Sequence, residues 1–192
     1  MKKSSLQHQS VKNISRLAMF LSLAILLNYL ENFIPVIIPI PGVKLGLANT
    51  MNLIVLYFFG KKNYFMIGFL RVLLICLMFN GLFTNSFYLS MSGFLLSSIM
   101  VLLLNLIPSL SIFSLSVVSA VFHGIGQIIC SVFLFAIPGM GPNVYFFTYL
   151  PILVISGIIT GIAIAFISKF TINRLEKLSF FRDLSTQIIE EN

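Results

Sequence analysis

The fold turns on residues 45–79, LGLANTMNLIVLYFFG (45–60), KKN (61–63) and YFMIGFLRVLLICLMF (64–79), two apolar runs parted by a glycine and two lysines. A helix needs about 20 apolar residues to cross the hydrocarbon core of a bilayer. The second run is close to that length and the first is short for a full crossing. The basic residues between them mark the membrane face where one span ends and the next begins. Before this stretch an apolar segment covers about 14–33 and ends at Pro35, Pro39 and Pro41, which cannot continue a helix. After it come segments at about 86–107, stopped by Pro108, and 111–137, closed by Pro138, Gly139, Gly141 and Pro142. The last runs from about 144 to 170, with Pro151 near its start.

The expected architecture is an all-α integral membrane protein, a bundle of six transmembrane helices. Composition supports it: 58% of the 192 residues are hydrophobic and 9% are charged, with a mean hydropathy of +1.05. A soluble domain carries about a quarter charged residues, and a disordered chain is poor in apolar ones, so both classes are excluded. The expected division is a basic N-terminus over 1–13, one helical domain over 14–170 and a tail over 171–192. The N-terminal apolar run is too long for a signal peptide and carries Asn28 and Glu31 near its end, so it reads as a retained span.

Charge sets the orientation. Lys2, Lys3, Lys12 and Arg16 come before the apolar run from Leu17, Lys61 and Lys62 lie between the second and third spans, and four more lie from Lys169 onward. Lys44 is the only fixed positive charge on the other side. Basic loops stay on the cytoplasmic face, so both termini are expected there, with 34–44, 80–86 and 138–144 outside.

Charged and polar side chains inside spans are rare and call for a reason. Arg71 lies in the third span, either as a ligand for an anion, as the partner of Glu31, or as a buried arginine bonded to helix carbonyls. Ser116, Ser119, His123, Gln127 and Ser131 recur every three or four residues, which is one face of a helix. That face looks into the bundle, as substrate contact or as hydrogen-bonding glue between helices. Ser86, Ser90, Gly93 and Ser97 form a small-residue stripe, as do Gly157, Gly161 and Ala165, and such stripes let helices approach closely. Ser15, Ala18 and Ser22 form another on the first span, suited to internal packing or to a membrane partner. The stretch PIPGVKLGLAN (39–49) sets Lys44 beside a helix that begins near Leu45 and carries Asn49 and Asn52; a helix N-terminus next to a lysine suits an anion.

Several chemistries are missing from the residues. There is no phosphate-binding G-x-x-x-x-G-K-[ST] loop, and the one aspartate, Asp183, is in the tail. Clustered carboxylates for a magnesium–diphosphate centre are therefore lacking. Cys76 and Cys130 sit in apolar runs and read as packing residues rather than a disulfide or metal pair. No catalytic residues, metal ligands, cofactor or nucleic-acid partner are expected; the partners expected from the residues are membrane lipid and a small molecule.

PIPGVKLGLAN (39–49), Arg71 within FLRVLLI, SFYLSMSGFLLSSIM (86–100), SAVFHGIGQ (119–127) and YLPILVISGIITG (149–161) resemble, in order and spacing, the Gx transporter family. Its members are often labelled heptaprenyl diphosphate synthase component I. Gly124 stands where that family's pattern has Asn after the histidine. The family is similar to the S components of energy-coupling factor (ECF) vitamin transporters. The resemblance implies a multi-pass protein of the bacterial cytoplasmic membrane that binds a small vitamin-like molecule, anionic or hydrogen-bonding. The resemblance places the substrate towards the outer face, under loop 34–44 and the later helices, and the pocket expected from the residues is Lys44, Asn49, Arg71, His123 and Gln127, with Tyr149 as an aromatic wall. It further implies docking through Ala18 and Ser22 onto a transmembrane coupling protein, with separate ATPase subunits supplying energy. The alternatives are a non-catalytic accessory subunit of heptaprenyl diphosphate or quinone synthesis, and a small stand-alone secondary carrier.

Overall fold

The computed structural model describes residues 2–31, 46–107, 110–134, 142–178 and 181. Among them the chain is helical with no strand, in the order α1 (Lys2–Glu31), α2 (Leu47–Ile75), a π-helical turn (Cys76–Asn80), α3 (Asn85–Leu104), α4 (Ile112–Leu134) and α5 (Pro142–Leu175). Five helical stretches are long and apolar enough to cross a membrane: Val11–Glu31, Leu47–Phe79, Asn85–Leu104, Ile112–Leu134 and Phe147–Leu175. Large apolar side chains cover the outside of the bundle, among them Phe133, Phe147 and Phe170, each more than 60% exposed. In water such a surface would aggregate, whereas against lipid tails it costs nothing. The protein is a multi-pass membrane protein.

The second and third apolar runs differ from expectation in one respect: they form a single element, α2, with no loop between them. Gly60 is its only non-helical residue, at φ 76° and ψ −179°. Asn49 and Arg71 lie on either side of it, 22 residues apart, and are joined by a hydrogen bond. A straight helix would hold them about 33 Å apart, so α2 doubles back at Gly60 into two arms. Only glycine adopts this backbone without strain. Lys61 and Lys62 sit exposed on the turn, as the basic break requires.

Helix ends follow local chemistry. Thr84 caps α3, its side chain accepting from the Phe87 N–H at 3.4 Å. α5 starts on Pro142, whose missing N–H belongs to an unpaired first turn anyway. α1 starts at Lys2, so the basic N-terminal residues continue the first helix rather than precede it.

Close helix approach organises the rest. A Cβ on Gly161 would lie 2.7 Å from Val117 Cα, and one on Gly126 would lie 2.6 Å from the Ser92 carbonyl. Ser116 uses the first approach to donate to the Gly161 carbonyl at 2.7 Å. These contacts join α3 to α4 and α4 to α5 by backbone proximity, the usual means of association in lipid. The hairpin end of the bundle has an aromatic core instead: Phe20 of α1, Phe58 of α2 and Phe181 after α5 are all buried. Phe181 lies 5.4 Å from the Phe58 ring and 6.0 Å from that of Phe20, with Arg16 over its face at 5.9 Å.

Candidate functional site

At the end of the bundle away from Gly60, α1 finishes against the head of α2. Glu31, the last residue of α1, is buried, and its Oε1 accepts from the Leu47 N–H at 2.5 Å. The first turn of a helix offers N–H groups with no partner inside the helix, and a carboxylate there also complements the helix dipole. The helix terminus that sequence marked as an anion site is thus engaged by the chain's own Glu31. Gly46 precedes it at φ 78°, and its carbonyl accepts from the Asn49 N–H at 2.8 Å.

Asn49 connects this head to the other arm of the hairpin. Its Oδ1 accepts from Arg71 Nη1 at 2.9 Å, and Arg71 is 5% exposed. An ionised donor makes a bond of this kind stronger than a neutral pair. Arg71 therefore has a fixed position, and its partner is a side-chain amide rather than a helix carbonyl.

Arg71, Asn49, His123 and Gln127 line one cavity of about 340 Å³, together with Asn28 and Glu31. Val72, Ile75, Leu89 and Ile164 supply apolar wall. The volume is at the lower end of small-molecule sites, which typically combine apolar walls with a few convergent polar groups. His123 and Gln127 reach the cavity over Gly93 of α3, where a Cβ would sit 2.8 Å from His123 Cε1 and 3.0 Å from Gln127 Cγ. Their neighbours on the same face of α4, Ser116, Ser119 and Ser131, are buried, so that face does look into the bundle.

Two candidates stand apart from this group. Lys44 lies outside the described residues. Tyr149 is described, half-buried on α5, and does not line the cavity. The α1 stripe behaves differently from the other small-residue stripes: Ser15, Ala18 and Ser22 are exposed, while Leu17, Phe20 and Ala24 are the residues turned inward. The Ser22 hydroxyl donates to the Ala18 carbonyl at 2.9 Å and so presents little polarity outward.

Sequence reasoning missed Asn28 and Thr160 as lining residues and the capping role of Glu31. Asn28 and Glu31 share one face of α1 at three-residue spacing, a signal that was available. Thr160 is one hydroxyl in an apolar run, and nothing local marks it. Cys76, read as packing, is buried and lines the cavity wall. Among the described residues no three His, Cys, Asp or Glu side chains come together as metal ligands.

No curated protein and no solved structure matches the chain. The family described as heptaprenyl diphosphate synthase component I matches residues 20–171, which take in both arms of the hairpin and every described residue of the cavity. The chain belongs to the heptaprenyl diphosphate synthase component I family.

Proposed function

We propose that this protein is the membrane-embedded substrate-binding subunit of an ATP-driven importer of the ECF type, held in a bacterial cytoplasmic membrane. It crosses the bilayer six times, each arm of the α2 hairpin counting as one crossing, with both termini cytoplasmic. The cavity then opens towards the outer face, opposite Lys61 and Lys62. It takes a small, vitamin-like organic molecule that is anionic or rich in hydrogen-bonding groups. Arg71 and Asn49 bind its acceptor side, His123 and Gln127 its polar edge, and the apolar wall its carbon skeleton. The subunit is non-catalytic: it lacks an ATP loop and the clustered carboxylates of a prenyl diphosphate centre. Ala18 and Ser22 form the face that meets a transmembrane coupling protein, with ATPase subunits beneath.

One observation carries this reading: a buried arginine, fixed by an asparagine, on the wall of a cavity with polar and apolar sides. Placing a charge at mid-membrane costs roughly 2.5–3.5 kcal/mol on insertion scales, and an arginine held there on a cavity wall points to a ligand as the reason. The test is to purify the full chain in mild detergent and identify any retained small molecule by mass spectrometry, beside Arg71→Ala. A molecule present in the parent and lost from a folded Arg71→Ala variant is the expected result. Equal retention by both, or none by either with no uptake in cells carrying the ECF module, overturns the proposal.

A further inference from the structure

Below the cavity, towards Gly60, lies a polar group that the site does not use. Asn52 is 4% exposed and Ser98 is 0% exposed, yet neither Asn52 Oδ1 nor Ser98 Oγ has a hydrogen-bond partner. Gly68 lets the two arms of α2 meet here: a Cβ at that position would lie 2.9 Å from Asn52 Nδ2 and collide with the Phe94 ring. Tyr64 is one turn from Gly68 and Ser98 one turn from Phe94, so these two lie level with each other and one turn nearer Gly60. The Tyr64 phenol, itself 2% exposed, faces the Ser98 and Ser119 hydroxyls. Four polar side chains from three elements thus converge, and two of their atoms, Asn52 Oδ1 and Ser98 Oγ, are left without a hydrogen-bond partner.

An unpaired polar atom buried in a protein is destabilising, and in lipid no outside water offsets it. A buried water typically makes about three hydrogen bonds to such atoms, and the number and kinds of partner here suit one. A metal cation does not suit the layer. It has no carboxylate, and Arg71 stands two turns from Tyr64 on the same arm, where its charge repels a cation.

We propose that ordered water occupies this layer, bridging Asn52 Oδ1, Ser98 Oγ and the Tyr64 hydroxyl. On the side towards Gly60 the layer is closed by Leu53, Leu56, Val101 and Leu115, which cluster with Tyr64. The water forms a hydrated floor between the cavity and this apolar plug, and gives the buried Arg71 a polar neighbour from below. The inference is independent of what the cavity binds.

Hydroxyl-radical footprinting by X-ray pulse, on the full chain in lipid nanodiscs, reads the water directly, because radicals formed from a bound water oxidise the side chain beside it. Tyr64 is expected to be oxidised within about tenfold of the rate of Tyr57, which is 44% exposed, while Phe58, at 0%, stays unmodified. The Asn52→Leu/Ser98→Val variant should lose Tyr64 oxidation several-fold and keep that of Tyr57. Tyr64 as inert as Phe58 in the parent protein overturns the proposal, whether or not the variant folds. So does a higher thermal midpoint for Ser98→Ala, since that gain arises only if the hydroxyl was dry and unpaired.

Discussion

Asn49 and Arg71 hold the two arms of the α2 hairpin together through one hydrogen bond of 2.9 Å, on the wall of the cavity. The bond fastens the reversal at Gly60 and aims a guanidinium at the same time. Its two roles separate under substitution. Asn49→Leu leaves a buried charge without its acceptor and should destabilise the protein by about 1.5–3 kcal/mol, read as a lower denaturation midpoint in nanodiscs. The Asn49→Leu/Arg71→Leu pair should recover part of that loss, because a missing partner costs more than a missing pair. An equal or larger loss in the double variant would show that the two residues are not coupled.

Glu31 is the second fastening at this end. Glu31→Gln keeps an acceptor for the Leu47 N–H but removes the charge that complements the head of α2. We expect a loss of about 0.5–2 kcal/mol in equilibrium unfolding. No change would mean that the carboxylate leaves this helix terminus in solution.

The glycines separate two kinds of constraint. At Gly60 a Cβ meets nothing within 4 Å, yet φ is 76°. Gly60→Ala should cost about 1–2 kcal/mol through backbone conformation alone. At Gly161 the backbone is ordinary, but a Cβ meets the Val117 main chain at 2.7 Å. Gly161→Ala should force α4 and α5 apart and cost about 1–3 kcal/mol. Adding Gly161→Ala should also break the bond from Ser116, which an amide-exchange measurement on α4 and α5 would register.

Phe181 joins the segment after α5 to α1 and α2. It is 3% exposed, between Phe20 and Phe58. Phe181→Ala should destabilise the fold by about 3–5 kcal/mol, measured by thermal unfolding, and leave the selectivity of the cavity unchanged. The Tyr57 hydroxyl donates to Glu176 at 2.6 Å near the same end, and Tyr57→Phe should cost far less, because that bond is exposed.

The exposed α1 stripe bears on partnership. Ser22→Phe adds bulk on the outside of the bundle and disturbs no buried contact. It should leave ligand retention intact and reduce co-purification with an ECF coupling protein more than tenfold. Undiminished association would remove Ala18 and Ser22 from the docking face.

The sequence by itself determined the solvent and the element type. Apolar runs, prolines between them and sparse charge are local properties, and they make a helical membrane protein of this chain before any tertiary contact forms. The four-residue recurrence that turns His123 and Gln127 inward is equally local, since helical geometry alone puts them on one face. Tertiary structure decided which polar residues meet. Whether the two runs of α2 stand apart or fold into one hairpin depends on a single φ at Gly60 and on the close contact that Gly68 allows. The bond from Arg71 to Asn49 follows from that reversal. Glu31 reaches Leu47 only because α1 ends against the head of α2. Thr160 joins the cavity for a similar reason, through α5 packed against α4. Contacts across such separations leave no periodic trace in the chain, because they depend on how helix faces fit one another.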